Sequence, residues 1–259
     1  MTGSIPKTLY QYRKINVNTL RSLIMDTVYM CNPKDFNDPY DSDFSLLNQK
    51  LAELRSEATG AFRHDTESQR ELYRRQREEI SKASKVLESY SVNCFTEVEP
   101  ITQPRKQSEK TVLMWSHYAD GHKGICLAFG TGKLGAGKYY DGWISIYELK
   151  PIRYDGGSEA PSFSLDDIDD IKNSVQKHFN EAMLSKAEFW AYEKEWRLIV
   201  DAGPHNFEYG PALELQAIYL GSKISRDDEK LIKEIVKGKG ISVHNTVLDQ
   251  KSYAINIKN

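Results

Sequence analysis

The chain has 259 residues, of which 39% are hydrophobic and 28% charged, and a formal net charge of −2. That length builds one large domain or two small ones with a sizeable core, and the near-neutral balance excludes a bulk field that would draw the chain to nucleic acid or membrane. No signal-type apolar stretch and no bilayer-length apolar run occurs, and the three separated cysteines, Cys31, Cys94 and Cys126, read as buried thiols of a reducing compartment, so a cytoplasmic, non-membrane protein is expected.

In chain order, Thr8 to Arg13 alternates like a strand, and Asn16 or Asn18 can cap a helix carrying Leu20, Leu23 and Ile24. Val28 to Cys31 reads as a short strand, and Asn32-Pro33 and Asn37-Asp38-Pro39 mark a loop. Leu46 to Leu87 is dense in Glu and Arg at helical spacing and predicts a charged helical insert, broken at Gly60. Ser91 to Thr96 returns to strand character. Glu97 to Lys110 is a polar loop, and Val112 to Tyr118 a short helix. Ile125 to Phe129 is a buried strand, and another lies within Trp143 to Tyr154, with Tyr140-Asp141-Gly142 as the turn into it. Asp166 to Lys186 predicts an amphipathic helix capped by Ser164. The C-terminal part reads strand (Leu213 to Leu220), helix capped by Ser225, and strands at Ile241 to Leu248 and Tyr253 to Ile257. Strands and helices mix without strict alternation, which predicts a single α+β domain over 1–259 with the insert at about 46–88.

Glu193 to Val200 carries the densest chemistry. As a strand it places Glu193, Glu195 and Arg197 on one face and Trp196, Leu198 and Val200 on the other. Two neighbouring carboxylates repel unless a cation sits between them. The structural alternative is an edge strand with an internal salt bridge on its wet face. Two motifs are decoys. Gly130 to Gly135 matches G-x-G-x-x-G, and Gly132 to Lys138 matches G-x-x-x-x-G-K, but no helix follows either to receive a phosphate. His117 and His122 straddle Asp120-Gly121 and share no helical face, so no metal is expected. A metal-dependent nuclease using them remains a further alternative.

The segments L-Y-x-Y-R (Leu9 to Arg13), F-N-D-P-Y-D (Phe36 to Asp41), W-S-H-Y-A-D-x-H-x-G (Trp115 to Gly124) and W-x-Y-E-x-E-W-R (Trp190 to Arg197) together resemble an uncharacterised bacterial family known only as a domain of unknown function. The resemblance runs from about Leu9 to Tyr253. The opening also resembles ADP-ribosyltransferase-like domains. That resemblance implies a mainly antiparallel mixed sheet with flanking helices. It also implies NAD as substrate and a toxin or phage-defence role, with a nucleic-acid or protein acceptor. Among site residues it implies Arg13 or Gln11 on the first strand, Ser91, Thr96 or Ser116 in the middle, and Glu193 and Glu195 last. Glu195 would stabilise the oxocarbenium ion, Glu193 would act on the acceptor, and Arg13 would hold a phosphate or ribose oxygen. Tyr12, Trp115, Ser116, His117, Tyr118 and Trp190 are candidates for binding NAD, the aromatic rings by stacking. Asn37, Asp38, Asp41, His122 and Arg197 are further cleft candidates. The competing expectation is a non-catalytic binding or regulatory module that uses the charged insert.

Overall fold

A computed structural model describes residues 4–36, 38, 41, 42, scattered positions between 49 and 81, 90–102, 108–132, 139–141, 144–155, 182–200, 203, 205–208, 213–252 and 254–258. Its elements are β1 (Thr8–Arg13), α1 (Val17–Met25), β2 (Thr27–Met30), β3 (Ser91–Thr96), α2 (Ser108–Tyr118), β4 (Ile125–Gly130), β5 (Tyr139–Asp141), β6 (Ile144–Pro151), β7 (Arg153–Asp155), β8 (Ser185–Ala187), β9 (Glu195–Val200), β10 (His205–Glu208), β11 (Glu214–Leu220), α3 (Arg226–Ile235), β12 (Ser242–Leu248) and β13 (Ile255–Ile257). Short 3-10 turns occupy Pro33–Asp35 and Glu188–Glu193.

Nine strands form one sheet in the order β13-β12-β11-β4-β1-β3-β9-β6-β5. All neighbours are antiparallel except β11 and β12, so the fold is mixed α/β built on a mainly antiparallel sheet. Strand alternation gives the sheet two chemically different faces. One face buries Leu9, Phe95, Phe129, Trp196, Leu198 and Ile218 against Leu23 of α1 and Ile232 of α3. The other buries Tyr12 and Cys126 against Met114 and Trp115 of α2 and Ala119 just after it. Register assigns the polar residues of β9 to this second face. Arg197 lies opposite Cys94, and Glu195 lies opposite Thr96, which itself faces Tyr10.

Several helix ends follow their sequence signals. Asn16 accepts from Thr19 N at 2.9 Å and starts α1, and Ser225 accepts from Asp228 N at 3.0 Å and starts α3. α2 begins at Ser108, inside the stretch expected to be loop. Tyr140 and Asp141 belong to β5 rather than to a turn. The helix expected over Asp166 to Lys186 lies mostly outside the described residues, and its last two positions, Ser185 and Lys186, are strand. The described positions between 49 and 81 are helical, as the charge spacing predicts, whereas Gly60 lies outside them.

Candidate active site

The strand expected from Glu193 is shorter than its alternation suggests. Glu193 ends a 3-10 turn, Lys194 takes a left-handed conformation (φ 45°), and β9 starts at Glu195. The two carboxylates therefore meet through a turn, not through neighbouring positions on a pleat. Nor is β9 an edge strand. It lies between β3 and β6, and every residue in it is buried, so Glu195 and Arg197 form an interior ion cluster rather than a wet salt bridge.

Arg197 anchors that cluster and is fully buried. Its Nε donates to Glu195 Oε1 at 2.7 Å. One terminal nitrogen donates to Ser42 Oγ at 2.8 Å and to the Met183 carbonyl at 2.9 Å, and the other to both Asp41 oxygens at 2.7 Å. The Phe36 ring lies 4.9 Å from the guanidinium carbon. A planar fork with five donors suits this site, and a lysine could not satisfy it. Beside it, Lys186 Nζ reaches Glu193 at 2.7 Å, Glu195 at 3.1 Å and Asp41 at 3.4 Å. Three carboxylates thus share two cations.

The environment drives the two glutamates apart. Burial alone would raise the Glu195 carboxyl, but the charges of Arg197 and Lys186 and the Arg197 hydrogen bond overcome it and hold it at about 2. Burial raises the Glu193 carboxyl, and the Lys186 and Tyr118 contacts only partly offset that. Lys186, opposed by burial but surrounded by carboxylates, is raised and stays cationic. Tyr118 donates its hydroxyl proton to Glu193 Oε1. Tyr154 accepts from Glu195 N at 2.7 Å, and Thr96 donates to the Glu193 carbonyl.

An aromatic rim lies above this cluster. His117 Nδ1 is 3.0 Å from the Tyr192 hydroxyl, and the Tyr192 and Trp190 rings are 6.0 Å apart. The Trp190 ring lies 5.0 Å from Lys186 Nζ, and its Nε1 donates to Asp38 at 2.8 Å. His117 is exposed, whereas Tyr118, Lys186, Trp190 and Tyr192 are half-buried, so the rim is open to solvent and Glu193 lies just beneath it.

The structure thus brings together Glu193, Glu195, Arg197, Asp41, Asp38, Tyr118, His117 and Trp190. It places the other candidates elsewhere. Arg13 lies opposite Ile125, on the sheet face turned away from Glu195, with β3 between its strand and β9. Burial lowers its affinity for its proton. Gln11 spans Asn93 Oδ1 at 2.5 Å and the Cys94 carbonyl at 3.0 Å. Tyr12 and Trp115 pack edge to face in the core and donate to the carbonyls of Val98, Glu99 and Pro100. Ser116 and His122 are 3.4 Å apart, and His122 stacks on Trp115. Asn37 lies outside the described residues. Among the described residues no group of three or more His, Cys, Asp or Glu could hold a metal.

Lys186, Tyr192, Tyr154 and Ser42 belong to the site but were not candidates in the sequence. Tyr192 was within reach, since it sits inside W-x-Y-E-x-E-W-R. Lys186 had no signal, because a charged residue closing a presumed helix looks like ordinary surface.

Residues 114–198 match the family described as Protein of unknown function (DUF2971). Over that stretch the chain is similar to this uncharacterised family. The match runs from within α2 to within β9. It spans Tyr118, Lys186, Glu193, Glu195 and Arg197, and the two motifs that begin at Trp115 and Trp190. Asp41 and the two N-terminal motifs lie outside it. No curated protein and no solved structure matches the chain.

Proposed function

We propose that the chain is an enzyme that cleaves the nicotinamide–ribose bond of NAD, as an ADP-ribosyltransferase or an NAD glycohydrolase. The observation that carries this reading is the divergence of two carboxyls bridged by one lysine: Glu193 is raised and Glu195 is held at about 2. Such a pair supplies a proton-transfer group and a fixed anion within one site. Glu193, nearer the rim, is the acid–base group that serves the acceptor or water. Glu195, with both oxygens engaged by Arg197 and Lys186, is an anionic charge fixed in advance of the developing oxocarbenium ion. Trp190 and Tyr192 offer faces for nicotinamide or adenine. Arg13 has no part in this arrangement.

Glu193→Gln keeps the side-chain shape and removes the transferable proton. NAD turnover is expected to fall by about 10²–10⁴-fold, with the thermal midpoint near that of the wild type. Equal turnover in the folded variant would end this reading. A non-catalytic binding module is the second reading. The observation that favours it is the complete internal satisfaction of Arg197, which lets the ion cluster serve as a structural keystone. That reading predicts no NAD consumption by the wild type and no NAD-specific rise in its thermal midpoint.

A further inference from the structure

We propose that the site also hydrolyses the N-glycosidic bond of purine nucleosides, with Glu193 as the general acid that protonates the departing base. The proposal rests on the acid–base part of the proposed function and not on NAD as the substrate. Asp41, Glu193 and Glu195 are held by Lys186 and Arg197, three carboxyls against two cations. Arg197 is given over to Asp41 and Glu195, whereas Glu193 holds only a share of Lys186. The surplus negative charge therefore falls on Glu193, which is 4% exposed, where an ionised carboxylate without a cation of its own is costly. A proton on Glu193 leaves two carboxylates against two cations and makes the cluster neutral. Burial raises its carboxyl in the same sense.

The bonds to Glu193 locate that proton. Lys186 Nζ donates to Oε2 at 2.7 Å, so Oε2 is an acceptor and the proton belongs on Oε1. The neighbour of Oε1 is the Tyr118 hydroxyl, and a hydroxyl can both accept and donate. It accepts from the acid before transfer and donates to the carboxylate afterwards. The leaving group then selects the substrate. When the nicotinamide–ribose bond breaks, its electron pair neutralises the ring nitrogen, so nicotinamide departs uncharged and needs no acid. A purine departs as an anion unless it is protonated first. An acid beneath stacking rings suits the purine: Trp190 lies 6.0 Å from Tyr192 and 5.5 Å from Phe189, whose side chain is 71% exposed. In the step, the Glu193 proton passes to N7 and the C1′–N9 bond breaks with its electron pair going to N9. The oxocarbenium ion forms against Glu195. Water adds at C1′ and gives one proton to solvent, and solvent returns one to Glu193, so water is the sole co-reactant.

Other titratable groups surround Glu193 from each packed element. Lys186 comes from β8, Tyr118 from α2 and Glu195 from β9, Tyr154 of β7 bonds the Glu195 amide, and Asp41 meets Glu193 through Lys186. Lys186 stays cationic and Glu195 stays ionised. Tyr118, Tyr154 and Tyr192 are raised, first by burial, and keep their protons. Glu193 is thus the group of this cluster that gains and loses a proton between weak acid and neutrality.

The test gives the full chain inosine, p-nitrophenyl riboside and NAD in separate assays. The wild type is expected to release hypoxanthine from inosine, with kcat/KM falling as pH rises through the raised Glu193 value. p-Nitrophenyl riboside, whose leaving group departs as a stable anion, should show no such fall. Glu193→Gln is expected to lower inosine turnover by about 10²–10⁴-fold and p-nitrophenyl riboside turnover by less than about tenfold. Activity on the second substrate also shows that the variant is folded, and the pH comparison in the wild type needs no variant. Inosine left intact by the wild type, the same fall with pH for both ribosides, or equal losses in a variant with the wild-type thermal midpoint overturns the proposal. Inosine cleaved by protein that leaves NAD intact keeps the general acid and removes the NAD reading. NAD consumed while inosine stays intact does the reverse.

Discussion

At the residue scale, Arg197 decides the energetics of the site. Ion pairs at an exposed surface contribute roughly 0–1 kcal/mol, so pairs such as Lys233–Glu229 on α3 carry little of the fold's stability. Arg197 is a different case. It is fully buried and its guanidinium is satisfied by two carboxylates, a hydroxyl and a carbonyl. Its removal leaves Asp41 and Glu195 charged in the interior, with Lys186 alone to balance them. Arg197→Ala is expected to lower the unfolding free energy by about 3–5 kcal/mol, read from urea or guanidinium transitions. Arg197→Lys should recover only part of that, because an ammonium cannot hold two carboxylates, a hydroxyl and a carbonyl in one plane. A loss below about 1 kcal/mol for Arg197→Ala would mean that the cluster is hydrated. That Arg197 and Glu195 share a face was legible from strand alternation alone. That this face is buried was not, because two charges in a hexamer argue for solvent until a partner from residue 41 and a lysine from residue 186 are known.

At the element scale, legibility followed periodicity and caps. α1, α3, β4 and β11 appear where alternation, helical spacing and the Asn16 and Ser225 signals put them. What failed was the entry to β9, because Glu193 reads as the first residue of the strand, whereas the 3-10 turn and the left-handed Lys194 place it before the strand. Close approach between elements was equally silent. A β-carbon at Gly221 would stand 2.2 Å from the His122 carbonyl oxygen, so β11 can meet the loop that follows α2 only through a glycine. Gly221→Ala is expected to cost on the order of 1–3 kcal/mol as backbone shifts to relieve the overlap. Gly132 has no atom near its would-be β-carbon, and Gly132→Ala should change stability by no more than about 0.5 kcal/mol. Thermal unfolding of the two variants side by side checks the contrast, and equal midpoints would contradict the packing of that loop.

At the scale of the whole molecule, the site joins segments that the sequence keeps far apart. Asp41 follows the first strands, Tyr118 ends α2, Lys186 lies on β8, and the glutamates flank the entry to β9. No local pattern announces such a meeting, so the sequence showed the carboxylates but not the cation they share. The assembly also makes folding sensitive to acid, with opposite signs at the two glutamates. Glu195 is held at about 2 against an ordinary value of 4.5, so its stabilisation is fully present above about pH 4.5 and is lost as pH falls toward 2. The shift corresponds to about 3 kcal/mol over that window. Glu193 is raised, so its contribution is present below the ordinary carboxyl value and disappears as pH rises through the raised one. Stability should therefore peak in weak acid rather than at neutrality. The unfolding midpoint of the wild type, followed from pH 7 to pH 3, should climb and then fall. Glu193→Gln should remove the climb and Glu195→Gln should flatten the fall. A fall in Glu195→Gln as steep as that of the wild type would place the acid-sensitive charge elsewhere in the fold.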